Sequence, residues 1–87
     1  MSLLRGRVAR PFYDWDGRKY IEFENEITQT RLRVKVPWRY NRVVCHVEGI
    51  RPIQDYRSGE LVEVLLEKKV WDGENYWILV SIRSTEP

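Results

Sequence analysis

Cysteine and histidine each occur only once in 87 residues, and each scarcity excludes a chemistry. A lone Cys45 excludes both a disulfide framework and a paired-cysteine metal knuckle, and it fits a reducing, cytoplasmic setting. A lone His46 leaves no histidine cluster for a metal. It adjoins Cys45, but neighbours on a strand point to opposite faces, so the two cannot form a nucleophile–base dyad. No apolar run is long enough to span a bilayer, and Met1–Arg7 lacks the apolar stretch of a signal peptide. Phosphate-loop, Ser-His-Asp and calcium-loop patterns are missing. Asp14 and Asp16 lack the third acid and the glycine offset that calcium needs. A non-catalytic protein without cofactor, metal or membrane partner is expected. High charge with few Asn, Gln, Cys and Met reads as a thermophilic composition.

Also missing is any stretch with a 3.6-residue apolar period of helical length. Alternation of period two is present instead. Residues 3–13 read as a first strand, with Leu4, Val8 and Phe12 on one face, Arg5, Arg7 and Ala9 on the other, and Gly6 at a close backbone approach or a bend. Asp16-Gly17 marks a tight hairpin into residues 19–24, with Ile21 and Phe23 inward and Tyr20, Glu22 and Glu24 outward. Residues 31–36 form a third strand, Leu32, Val34 and Val36 opposing Arg31, Arg33 and Lys35, and Pro37 ends it. A fourth strand is expected over 43–48, then a long loop over 49–59 holding at most one helical turn. A fifth follows over 61–70, with Val62, Val64 and Leu66 on one face. A second Trp-Asp-Gly hairpin at 71–73 leads into a sixth over 76–82, read as Tyr76, Ile78, Val80 and Ile82 inward and Trp77 and Leu79 outward. Residues 84–87 are expected to fray. The expectation is one domain, all-β, a small closed or partly open barrel of five to six strands in meander-like order.

Acids are absent from Ile27 to Val47 and from Met1 to Tyr13, and eight of the fifteen basic residues lie in those stretches: Arg5, Arg7, Arg10, Arg31, Arg33, Lys35, Arg39 and Arg42. Glu22, Glu24 and Glu26, then Glu60, Glu63 and Glu67, gather elsewhere. If the two basic strands are neighbours, the barrel has a cationic and an anionic side. Arg31, Arg33 and Lys35 would then stand in a row about 7 Å apart, close to the spacing of phosphates in a single strand. Trp38 and Tyr40 follow Pro37 among Arg39 and Arg42. Rings that stack on bases among charges that pair with phosphates are what a single-stranded DNA or RNA site needs, although the same rings could cap a barrel end. Tyr20 and Trp77, outward by alternation, are read as a base platform, a protein-binding patch or a second small cluster.

At this point the chain resembles the OB-fold group of nucleic-acid-binding barrels. The resemblance rests on strands near 3–13, 18–24 and 31–36, a break, and a late hairpin reached through Arg57-Ser-Gly-Glu-Leu-Val-Glu-Val. It implies binding across the second and third strands, carried here by Tyr20, Arg31, Arg33, Lys35 and Trp38. One departure is that residues 37–42 hold a turn at most where OB-folds place a helix, so an SH3-like barrel stays open. Two further functions stay open beside single-stranded nucleic-acid binding. One is an accessory subunit or homo-oligomer using Trp77, Leu79 and the acidic strand face. The other is a regulatory protein holding duplex DNA by its phosphates.

Overall fold

The computed structural model describes residues 1–37, 45 and 49–85. Five strands among them, β1 (Ser2–Trp15), β2 (Arg18–Asn25), β3 (Arg31–Lys35), β4 (Leu61–Trp71) and β5 (Glu74–Ser84), close into a barrel of order β1-β2-β3-β5-β4. This is not the expected meander. The β4–β5 hairpin folds back so that β5 runs parallel beside β3 while β4 pairs with β1. The parallel closure and the shared β1 make the barrel OB-like and set the SH3-like alternative aside. Of the expected fourth strand over 43–48 only Cys45 is described, and it is helical and buried. The expected turn in the long loop is present as a 3-10 helix, Ile53–Asp55.

Both hairpins turn on Asp-Gly. Positive φ at Asp16 and Gly17, and again at Asp72 and Gly73, gives each the two left-handed central residues of a tight turn whose twist matches the strands it joins. At Gly6, a Cβ would lie 1.8 Å from the Glu24 carbonyl oxygen and 2.8 Å from the Phe23 ring, so β1 reaches β2 only because no side chain stands there.

Val8, Ile21, Phe23, Val34, Val62, Val64 and Leu66 fill the interior, and Cys45, Ile53 and Tyr56 join them. Each large apolar side chain so buried contributes about 1.5–3 kcal/mol. Register shifts decide which residues share that interior. On β1, extra residues lie between Val8 and Arg10 and between Arg10 and Tyr13, around Pro11, which has no N–H to offer a partner. The two bulges cancel, so Val8 and Phe12 both meet the core while Arg10 between them turns outward. On β5 a single shift, Leu65 opposite Ser81 and Leu66 opposite Leu79, makes Val80 the extra residue. Leu79, expected outward, is therefore 1% exposed in the core, and Trp77 packs partly against it. Beyond the bulge Ile82 turns inward as alternation predicts. The Thr85 N–H donates to the Leu61 carbonyl at 3.0 Å, and residues 86–87 lie outside the described residues.

Candidate nucleic-acid interface

β2 lies between β1 and β3, so the two basic strands are not neighbours and the barrel has no simple cationic side. The pairing instead places residues in rows across the three outer faces: Arg7, Glu24 and Arg31, then Arg10, Glu22 and Arg33, then Tyr13, Tyr20 and Lys35. An acidic strand divides the cations.

Much of the expected basic row is thereby engaged. Glu22 accepts from Arg31 Nε at 2.7 Å and from the Tyr13 hydroxyl at 2.8 Å, with Arg10 at 3.7 Å. Burial pushes its carboxyl up, but the hydrogen bonds from Tyr13 and Arg31 and the two guanidinium charges outweigh that and hold it below the ordinary carboxylate value. Burial and the same carboxylate push the Tyr13 phenol up. Arg5 is taken by Glu63 at 3.0 Å, which Arg83 also holds at 2.7 Å, and these hydrogen bonds lower the Glu63 carboxyl. Arg7 donates to the Gly59 carbonyl at 2.7 Å.

Arg33 and Lys35 differ. Both are exposed on β3, and among the described residues no carboxylate pairs with either. The Arg33 guanidinium lies 4.8 Å from the ring centres of both Trp15 and Tyr20, a cation–π contact with each. Tyr20, expected on the outside, is only 4% exposed. It does lie on the outer face, but Tyr13 at 5.7 Å, Trp15 at 6.3 Å and Arg33 cover its ring. The available ring is Trp15, 57% exposed beside the first hairpin turn.

Three depressions lie side by side over this surface, each sharing lining residues with the next. One of about 530 Å³ lies between Arg10, Trp15, Glu22 and Arg33. A second of about 210 Å³ shares Arg33 and adds Lys35, Tyr76 and Trp77. A third of about 430 Å³ shares Lys35 and Tyr76 and reaches Arg18 and Lys69. The groove thus passes over the short β3 and between the two Asp-Gly hairpins. Arg18, Lys69, Tyr76 and Trp15 were not singled out from the sequence. The two Trp-Asp-Gly turns were the available signal, because two matched hairpins can flank one cleft. Trp38, Arg39, Tyr40 and Arg42 lie outside the described residues.

Among the described residues no group of three or more His, Cys, Asp or Glu is placed to hold a metal ion, and no helix is long and apolar enough to cross a membrane. No family model and no curated protein matches the chain. Among solved structures, the dimeric N-terminal domain of PriB protein from Thermoanaerobacter tencongensis is similar at a TM-score of 0.50 and 16% identity, over 99% of this chain and 96% of that one. At that identity the similarity concerns the fold. The chain is an OB-like closed five-stranded barrel, an architecture it shares with that domain.

Proposed function

We propose that the barrel binds single-stranded DNA or RNA across β3 and into the groove between its two hairpins. The observation that carries this reading is the exposed pair Arg33 and Lys35, unpaired by acids among the described residues, beside an exposed Trp15 ring on adjoining depressions. The fold supports it, since OB barrels bind oligonucleotides on the face of their second and third strands with the flanking hairpin loops. Binding comes from backbone charge and stacking. The protein performs no chemistry on the strand.

Arg18, Arg33, Lys35 and Lys69 around the groove amount to about four phosphate contacts, so affinity for a mixed-sequence single-stranded 20-mer falls about 50-fold between 50 and 200 mM salt. Intrinsic Trp fluorescence quenches as bases reach Trp15. The Arg33→Ala, Lys35→Ala double variant weakens binding to every sequence and lowers the salt slope by about 1.4. A folded double variant that binds as the parent does would refute the assignment. Running the matching duplex in parallel separates the duplex-binding alternative, which requires the duplex to compete equally. The protein-interaction alternative loses Leu79, which lies in the core, and retains Trp77 at the groove edge.

A further inference from the structure

Glu22 lies on β2, in register between Arg33 of β3 and Arg10 of β1. Its two oxygens face three donors: Arg31 Nε on one, the Tyr13 hydroxyl and the Arg10 guanidinium on the other. A phosphodiester likewise spreads one negative charge over two free oxygens, so the same donors would suit it. The first depression opens on this cluster, which places it at the β1 end of the groove.

We propose that Glu22 is an internal phosphate surrogate that closes the binding track on its β1 side, keeping Arg10 and Arg31 from the nucleic acid and confining the strand to the Arg33–Lys35–Tyr76 side. The inference rests on the proposed function. A phosphate that recruited Arg31 would have to displace Glu22, whose side chain is only 17% exposed, and leave a shielded carboxylate without its counter-charges. Arg33 contacts the Trp15 and Tyr20 rings instead, and among the described residues no carboxylate pairs with it. Arg31 and Arg33 share one face of β3, yet only one is available to a ligand. Glu22, opposite Arg33 in register, decides which by reaching diagonally to Arg31, while Arg33 turns to Trp15 and Tyr20.

The test is Glu22→Gln, which keeps a hydrogen-bonding amide and removes the charge, titrated with the single-stranded 20-mer from 50 to 200 mM salt beside the parent chain. Release of one or two arginines steepens the salt slope by about 0.7–1.4, an additional loss of about 2.6- to 7-fold over that range, with tighter binding at the low-salt end. Glu63→Gln controls for net charge, since Glu63 is likewise flanked by Arg5 and Arg83 but lines none of the three depressions. A Glu22→Gln slope equal to the parent's, or an equal steepening in Glu63→Gln, overturns the inference while the parent's binding keeps the proposed function. Binding by Glu22→Gln alone supports the inference and removes the function from the parent chain. Binding by neither protein overturns both. Should Glu22→Gln fail to fold, Arg31→Ala against Arg33→Ala decides: the surrogate requires the smaller loss at Arg31, and equal losses refute it.

Discussion

Trp15 and Tyr20 are neighbours with ring centres 6.3 Å apart, and the proposed function gives them opposite tasks that two alanine substitutions separate. Tyr20 is 4% exposed, wedged beneath Tyr13, Trp15 and Arg33, so Tyr20→Ala empties a packed site. Aromatic-to-alanine changes in cores cost about 3–5 kcal/mol, and a site on the outer face that can partly collapse belongs at about 3. Unfolding entropy of about 2.1 cal/mol/K per residue is about 0.18 kcal/mol/K for this chain, so the melting temperature should drop by about 16 °C. Trp15 is 57% exposed, and its removal should shift the melting temperature by no more than about 5 °C. Binding should behave in reverse. Losing one stacking ring removes about 1–3 kcal/mol, or about 5- to 150-fold in affinity, at an unchanged salt slope because no charge is lost. Circular-dichroism melts and anisotropy titrations of a labelled 20-mer read both quantities. A Trp15→Ala protein that binds normally, or one that melts as low as Tyr20→Ala, would refute the division of labour.

Gly6→Ala should prevent normal pairing of β1 with β2, because the added carbon overlaps backbone that cannot retreat; a cost of about 3 kcal/mol or more is expected in urea unfolding, and a normal midpoint would contradict the close approach. Leu79→Ala should destabilise by about 2–5 kcal/mol, whereas an outward Leu79 would change the melt very little. Glu22, Glu60 and Glu63 are all held below their ordinary value of 4.5, Glu60 chiefly by its hydrogen bond from Arg51. Carboxylates lowered in the folded state contribute stability that is complete above that value and is lost as pH falls below it. Melting temperature should therefore hold from neutral pH to about pH 5 and then fall, less steeply in Glu22→Gln than in the parent.

The strands were legible because their signals are local. Asp16-Gly17 and Asp72-Gly73 dictate turn geometry by themselves, and the alternation of Leu32, Val34 and Val36 places β3's apolar face correctly. What alternation cannot carry is a change of phase. Val80 is chemically an ordinary strand residue, yet as the extra residue of a bulge it reverses every facing before it, which is why Leu79 was read outward. Tyr20 failed differently. Its face was read correctly, but its burial depends on Tyr13, Trp15 and Arg33 arriving from other strands. The engagement of Arg5 and Arg31 was hidden for the same reason, since their acids are 58 and 9 residues away in sequence.

The parallel seam between β3 and β5 joins only Val34 with Trp77 and Lys35 with Ile78 among the described residues, against ten paired positions between β4 and β5. A barrel latched at one short seam should close there last. The two hairpins can zip from their own turns within microseconds, whereas the seam must wait for chain ends separated by more than forty residues to meet. The same seam should breathe first under native conditions, so amides of β3 should exchange with deuterium ahead of those in the β4–β5 ladder. Because Arg33 and Lys35 sit on that latch, a strand bound across it would act as a clasp, slowing exchange at β3 more than anywhere else in the molecule.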